Sequence, residues 1–484
     1  MLRRALSDPL TRLGGLGALL AVSVTLLHLP AAIYGGNADE FDFALAIYLL
    51  LGLPLVLVLT AATVLSLVRL PPSARAVAAG IACGVGLLAW IYGNFFLGDT
   101  VLLDGRHAAL DFSTPLGALE PVAALAAIAA TAAVAVRYAR SAIFFLLALN
   151  LGLAAVTLSE ALRDPHLANP LHREDTAELF RFSRQGNVLL VLLDTLQADV
   201  FDRVVRADGA LAAGLDGFTL YRDAVGIAPT TLLSIPAIHS GQAYSPRESI
   251  RRYYEQGVRE HSFLNELAAV GFETTLLNPV KNVCPRRAAL CTSTAQALDE
   301  RGEELRDDAL LLLDLSLFRI VPFSVKAFIY RSNKWLFSRL TTAHFFSDFI
   351  LQGNDLIALL AHRLAAGDGP RTAKFVHLFT THPPYILAAD CASILPNDVG
   401  NVDNQARCSL HALLTLFDAM KRGGVYDATA IALIADHGYA LPSSYPSADD
   451  SGSDRWSTLV GAANPTFALK PPRANGGLSF GSGA

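Results

Sequence analysis

Two short apolar runs in this chain end in residues able to hold a metal ion. Asn187 to Leu193 leads into Asp194, and the run beginning at Ala428 leads into Asp436 and His437. Between them lie GIAPTTLLSIPAIHSG (Gly226 to Gly241), with hydroxyls at Thr230, Thr231 and Ser234, and FTTHPPY (Phe379 to Tyr385), which carries His382. Two carboxylates, an imidazole and a threonine hydroxyl together suit one divalent cation, Zn or Mn by donor type, with Mg or Ca as alternatives. A threonine hydroxyl is a poor nucleophile at its own pKa, and coordination to such an ion favours its alkoxide. A metal-and-nucleophile site is therefore expected, with the hydroxyl coming from Thr231. Thr230, one residue earlier, is the competing nucleophile. The bland readings are strand-end caps for Asp194 and Asp436, a packed surface histidine for His437 and a turn residue for His382. Asp199, His239, His377 and Tyr385 lie near these motifs and are given local hydrogen bonding as their default.

Such chemistry needs elements that bring distant residues together. Apolar runs of this length read as strands buried on both faces of a parallel sheet, and open α/β sheets keep their ligands at the C-terminal strand ends. Further strands are expected at Phe218 to Val225, Phe272 to Asn278 and Lys374 to Thr380. Helices are expected at Val200 to Leu215, Ser262 to Gly271 and Cys408 to Gly424, the alternation that gives a mostly parallel sheet between helices. Thr231 should open a helix, where backbone N–H groups favour an anion.

The rest of the composition points to a membrane. The chain has 484 residues, 52% of them hydrophobic and 17% charged, too apolar for a soluble enzyme and too long for one core. Five apolar segments, about 13–34, 43–68, 77–97, 116–136 and 142–158, are each near the ~20 residues needed to span a bilayer as helix. Arg3, Arg4 and Arg12 precede the first, Arg69 and Arg75 follow the second, and Arg137 and Arg140 follow the fourth. The alternate loops, 37–42 and 98–113, are acidic and mixed. Basic loops stay in the cytoplasm, so five crossings put everything after about residue 160 outside it. The net charge of −5 offers no footprint for nucleic acid.

In that compartment Cys284 with Cys291, and Cys391 with Cys408, read as two local disulfides, with unpaired thiols as the alternative. The stretch 308–346 mixes Leu, Ile and Phe with Lys326, Arg331, Lys334, Trp335 and Arg339. It suits either an element on the membrane surface or helices covering the sheet.

The order of these motifs carries a family resemblance. An apolar strand with Asp194, then T-x-x-S-x-P (Thr231, Ser234, Pro236), then T-H-P-P (Thr381 to Pro384), then D-H-G (Asp436 to Gly438) resembles the alkaline phosphatase and sulfatase superfamily. With five membrane helices in front, the chain is similar to the branch of lipoteichoic acid synthase and the lipid A phosphoethanolamine transferases. The resemblance implies Asp194, Thr231, Asp436 and His437 as metal ligands, Thr231 as nucleophile and His382 as a contact to substrate phosphate. Asp194 departs from the glutamate usual in the two transferase groups. Sulfatases place a Cys or Ser, followed by Pro and Arg, where Thr-Leu-Leu-Ser-Ile runs here, which argues against sulfate-ester hydrolysis.

Together these readings give residues 1–160 as a transmembrane domain of five helices, 161–186 as a linker and 187–484 as an alkaline-phosphatase-like catalytic domain. That domain is expected on the outer face of the cytoplasmic membrane, and is cut short at its C-terminus if the chain is a fragment. The function expected is transfer of a phospholipid head group to an envelope glycan or lipid. Hydrolysis of a phosphodiester at the same site, and a metal-free lipid-binding regulatory role, are the alternatives.

Overall fold

In the computed structural model the described residues are 7–38, 41, 43–95, 115–168, 175–279, 283–298, 301–331, 334–337, 345–393, 401–439, 441–445 and 454–481. The mixed loop 98–113, Arg3, Arg4, Arg339 and part of the expected linker lie outside them. The chain forms two compact units: residues 1–172 with 302–343, and residues 173–301 with 344–484.

The first unit contains five helices long and apolar enough to cross a membrane: α1 (Pro9–Gly36), α2 (Leu45–Arg69), α3 (Pro72–Phe95), α4 (Pro115–Arg137) and α5 (Ala139–Arg163). Asp8 caps α1 by accepting from the Thr11 amide at 3.1 Å. Close approach of α1 and α3 depends on glycine, since a Cβ on Gly17 would sit 2.5 Å from the Cys83 nitrogen. Small residues at such crossings are how apolar helices gain contact without a hydrophobic driving force between them.

The stretch expected inside the 187–484 domain departs from that assignment over 302–343, which belongs to the first unit. Its helix Arg301–Ile320 buries Leu312 in the cluster of Tyr34, Phe41 and Phe43, and the amide of Phe323 donates to Glu120 at 2.6 Å. Apolar partners on the five-helix unit thus win over the sheet as its packing surface. The expected linker is also partly structured: Arg181–Ser183 pairs in parallel with Ala365–Gly367.

The second unit is built on an eight-stranded sheet: β1 (Asn187–Leu193), β2 (Thr219–Tyr221), β3 (Glu273–Asn278), β4 (Leu290–Ser293), β5 (Thr372–Leu378), β6 (Thr429–Ile434), β7 (Phe467–Lys470) and β8 (Ser479–Gly481). Its order is β8-β2-β7-β6-β1-β5-β3-β4, antiparallel only where β7 meets β6 and β2. Apolar residues of β1, β5 and β6 are buried on both sides of the sheet, as their near-continuous apolar sequences require. The helix expected at 200–215 is two, Ala198–Ala207 and Gly209–Gly214. Asp208 breaks it by capping the second through the amides of Ala210 and Leu211. Both disulfides form, Cys284–Cys291 and Cys391–Cys408, while Cys83 is free and buried in α3.

Candidate metal and phosphoryl-transfer site

Parallel register brings the two aspartates together. Leu192 of β1 stands opposite Ile434 of β6, so Asp194 and Asp436, each two residues further on, leave the sheet side by side. His437 follows immediately, and ligand atoms of Asp194, Asp436 and His437 all lie within 4.8 Å of one another, with all three residues buried. The tight path of D-H-G has a local cause: a Cβ on Gly438 would run into the carbonyl oxygen of Gly461.

The loop after β1 is held in an unusual backbone state. Thr195 has φ of 64°, rare for a β-branched residue. Its amide donates to Asp436 Oδ1 at 3.2 Å and its hydroxyl to the Thr381 carbonyl at 3.4 Å. The Thr381 hydroxyl in turn donates to the Asp194 carbonyl at 2.7 Å. These bonds tie the ends of β1, β5 and β6 to one another, and local strain kept by surrounding bonds is a mark of functional sites.

Thr231 reaches the cluster from a separate element. It is the first residue of the helix Thr231–Ser240, which ends on Gly241 in the left-handed conformation at φ 71°. Its Oγ1 lies 3.2 Å from Asp194 Oδ2 and 3.3 Å from His437 Nε2. Thr230 is the N-cap, and its side chain makes no capping bond, while its carbonyl accepts from the amides of Leu233 and Ser234. Of the two threonines, Thr231 is the one whose hydroxyl stands between a carboxylate and an imidazole. Nδ1 of His437 donates to the Gly438 carbonyl at 2.8 Å, the tautomer that leaves Nε2 an acceptor facing Thr231.

Sequence reasoning missed one participant. His377, on β5 opposite Leu192 of β1, places Nε2 3.0 Å from Asp194 Oδ2. Side chains two residues apart on a strand share a face, so the level register that pairs 192 with 377 also aims Asp194 at the imidazole. The signal available in KFVHLFT was a polar residue at a position buried on both sides, which needs a partner. His382 lies buried in the loop after β5, its Nδ1 against the Pro383 carbonyl and its ring stacked on Phe379 with centroids 5.3 Å apart. Gln405 holds that loop, donating to the His382 carbonyl at 2.8 Å and accepting from the Ile386 amide at 2.8 Å. Asp199 accepts from Ser444 at 2.8 Å and from Gln197 at 3.1 Å, and His239 meets Ser262 at 2.8 Å, the local bonding expected of them.

The electrostatics of the pair are uneven. Burial on its own would raise the Asp194 carboxyl. The hydrogen bond and charge of His377, with the charges of His382 and His437, hold it well below the usual carboxylate range. Asp436 goes the other way, raised by burial and by the neighbouring Asp194 charge. Oδ1 of Asp194 and Oδ2 of Asp436 are buried without a hydrogen bond. Two adjacent carboxylates with unsatisfied buried oxygens are costly unless a cation sits between them. The donor set of two carboxylates, one imidazole nitrogen and one hydroxyl therefore fits a divalent ion by its own chemistry.

No family model and no curated protein matches the chain. Among solved structures it resembles the integral membrane lipooligosaccharide phosphoethanolamine transferase A of Neisseria meningitidis at 14% identity and a TM-score of 0.34, over 95% of this chain and 88% of that one. It also resembles the lipoteichoic acid synthase LtaP of Listeria monocytogenes at 12% identity and a TM-score of 0.32, over 63% and 71%. A third is an alkaline phosphatase superfamily protein of Vibrio parahaemolyticus at 12% identity and a TM-score of 0.35; the chain spans 62% of its length.

Proposed function

We propose that this chain is a membrane-anchored, metal-dependent phosphoryl-group transferase of alkaline-phosphatase type that takes a phospholipid head group and passes it to an envelope glycan or lipid. The observation that carries the reading is the position of Thr231 Oγ1 between Asp194 Oδ2 and His437 Nε2 at the start of a helix. A hydroxyl 3.2 to 3.3 Å from the Asp194 and His437 ligand atoms is placed to join them on one ion and act as a nucleophile.

Asp194, Asp436, His437 and Thr231 would hold the ion, Zn or Mn by donor type. When bound, a divalent ion lowers the pKa of the hydroxyl and neutralises charge on the phosphoryl oxygens. His377 fixes Asp194 through Oδ2 and keeps it ionised. Thr231 Oγ1 gives up its proton and attacks phosphorus of the phosphodiester donor. The bond from phosphorus to the lipid alcohol breaks, and the alcohol leaves carrying a proton. An acceptor hydroxyl then attacks phosphorus, the bond to Thr231 breaks, and the threonine regains its proton. The start of the Thr231–Ser240 helix, with no side-chain cap from Thr230, favours the anion through both steps. His382, buried in the loop after β5, is the residue that would offset phosphoryl charge when protonated.

The membrane reading rests on the five apolar helices, and the outward placement of the second unit on the basic loops. The deciding experiment incubates the purified full chain with phosphatidylethanolamine or phosphatidylglycerol and divalent ion, then maps phosphopeptides by mass spectrometry. A head-group phosphate adduct on Thr231 is expected, and its mass identifies the donor. An adduct that disappears without acceptor makes the enzyme a phosphodiesterase. A protein that forms no adduct and carries no metal on elemental analysis is not this enzyme.

A further inference from the structure

The five-helix unit contains an apolar cavity of about 470 Å3 that the transferase chemistry does not use. It lies among α3, α4 and α5. Cys83, Ala135 and Leu146 form its buried floor, and Val134, Tyr138 and Phe145 its exposed rim. It is therefore a bowl opening on the outer surface of these helices rather than a sealed void. Along α5 it runs from Tyr138 to Leu146, about 12 Å of helix. A concavity with this lining does not hold water and is satisfied by hydrocarbon.

Chemistry at one end of the bowl selects among lipids. Helix α4 ends on Arg137, which is exposed. The Arg137 guanidinium lies 5.7 Å from the ring centroid of Tyr138, itself a lining residue, so the cation stands at the bowl's mouth. No acidic residue occurs in the sequence between Glu120 and Glu160. Guanidinium groups match phosphate oxygens geometrically, and basic pockets between membrane helices recognise anionic head groups.

We propose that the bowl binds an anionic phospholipid, one acyl chain against Cys83, Ala135 and Leu146 and the phosphate held by Arg137. The site is at the beginning of α5, about 37 Å along the helix from its end at Arg163, where the chain leaves for the second unit. The lipid is accordingly a resident of the leaflet facing the basic loops.

The test is native mass spectrometry of the full chain in mild detergent, titrated with phosphatidylglycerol or phosphatidylcholine of the same acyl chains. The parent protein is expected to retain phosphatidylglycerol about 5-fold better, the size one arginine near a head group supplies. Arg137→Gln should bring retention down to the phosphatidylcholine level without moving the lipid-free melting temperature. Ala142→Phe, which fills the bowl, should lower retention of both lipids. Equal retention of the two lipids by the parent, or undiminished phosphatidylglycerol on the Gln variant, overturns the proposal. Retention unchanged by a folded Ala142→Phe protein places the lipid elsewhere and overturns it as well.

Discussion

His377 Nε2 and Thr231 Oγ1 approach the same oxygen, Asp194 Oδ2, at 3.0 and 3.2 Å, while Oδ1 is left without a hydrogen bond. One carboxylate oxygen is thus used to fix the side chain and the other is kept for a ligand. His377 acts through Asp194 as a positioning residue. His377→Ala should weaken metal affinity by about 10- to 100-fold, the range for partners that orient a metal ligand. His377→Gln should recover part of it, since an amide N–H can donate to Oδ2. Metal titration by calorimetry checks this, and equal affinity for parent and Ala variant would sink the assignment.

Thr231 and Thr230 are separated by kinetics. Thr231→Ala should keep the metal on its three other ligands yet lower turnover by about 10³-fold or more and abolish the covalent adduct. Thr231→Ser should retain partial activity, because the hydroxyl survives but loses the rotamer restriction of β-branching. Thr230→Ala should cost little, since Thr230 contributes its carbonyl to the helix and no side-chain cap. If Thr230→Ala were the damaging change, the nucleophile would be one residue earlier.

Much of this site was legible in the sequence because its residues end strands whose apolar runs are unambiguous. β1 and β6 announce themselves with their terminal aspartates, and their parallel pairing with Leu192 opposite Ile434 then sets Asp194 beside Asp436. His377 was not legible, because its role depends on which residue of β5 lies level with Leu192, and register is a tertiary fact. The short strand Leu290–Ser293 was missed for want of length, and the packing surface of 302–343 because periodicity names an apolar face without its partner. The break at Asp208 was readable in hindsight: an Asp followed by Gly inside a helical pattern is an N-cap signal.

Lys374 gives the second unit a pH dependence of its own. It sits in the middle of β5, fully buried, and burial, helped by the Arg181 charge, pulls its ammonium down to about 7. Its Nζ donates to the Glu178 carbonyl at 2.6 Å. The unfolded chain keeps that proton to about pH 10.4, so between about 7 and 10 the unfolded state binds more protons and stability rises with pH. Below about 7 both states are protonated and the penalty is constant. Lys374→Met should remove this slope, so its melting temperature gains on the parent more at pH 7 than at pH 9. Parallel melting profiles for the two proteins across that range would refute the account.

The two disulfides should have different consequences. Cys284–Cys291 closes a chain separation of 7 beside β4, whereas Cys391–Cys408 closes one of 17. The second bridge joins the segment after His382 to the helix Val402–Arg422, the helix whose Gln405 holds the His382 carbonyl. By chain entropy the longer loop is worth about 3 kcal/mol and the shorter somewhat less. Cys391→Ser with Cys408→Ser should therefore lower both the melting temperature and turnover, since the loop carrying His382 is loosened. Cys284→Ser with Cys291→Ser should lower stability alone. Non-reducing peptide mapping of exported protein should find both bridges, and of protein retained in the cytoplasm neither. Four free thiols after export would remove the oxidising compartment from the account, and full turnover without the 391–408 bridge would remove its link to His382.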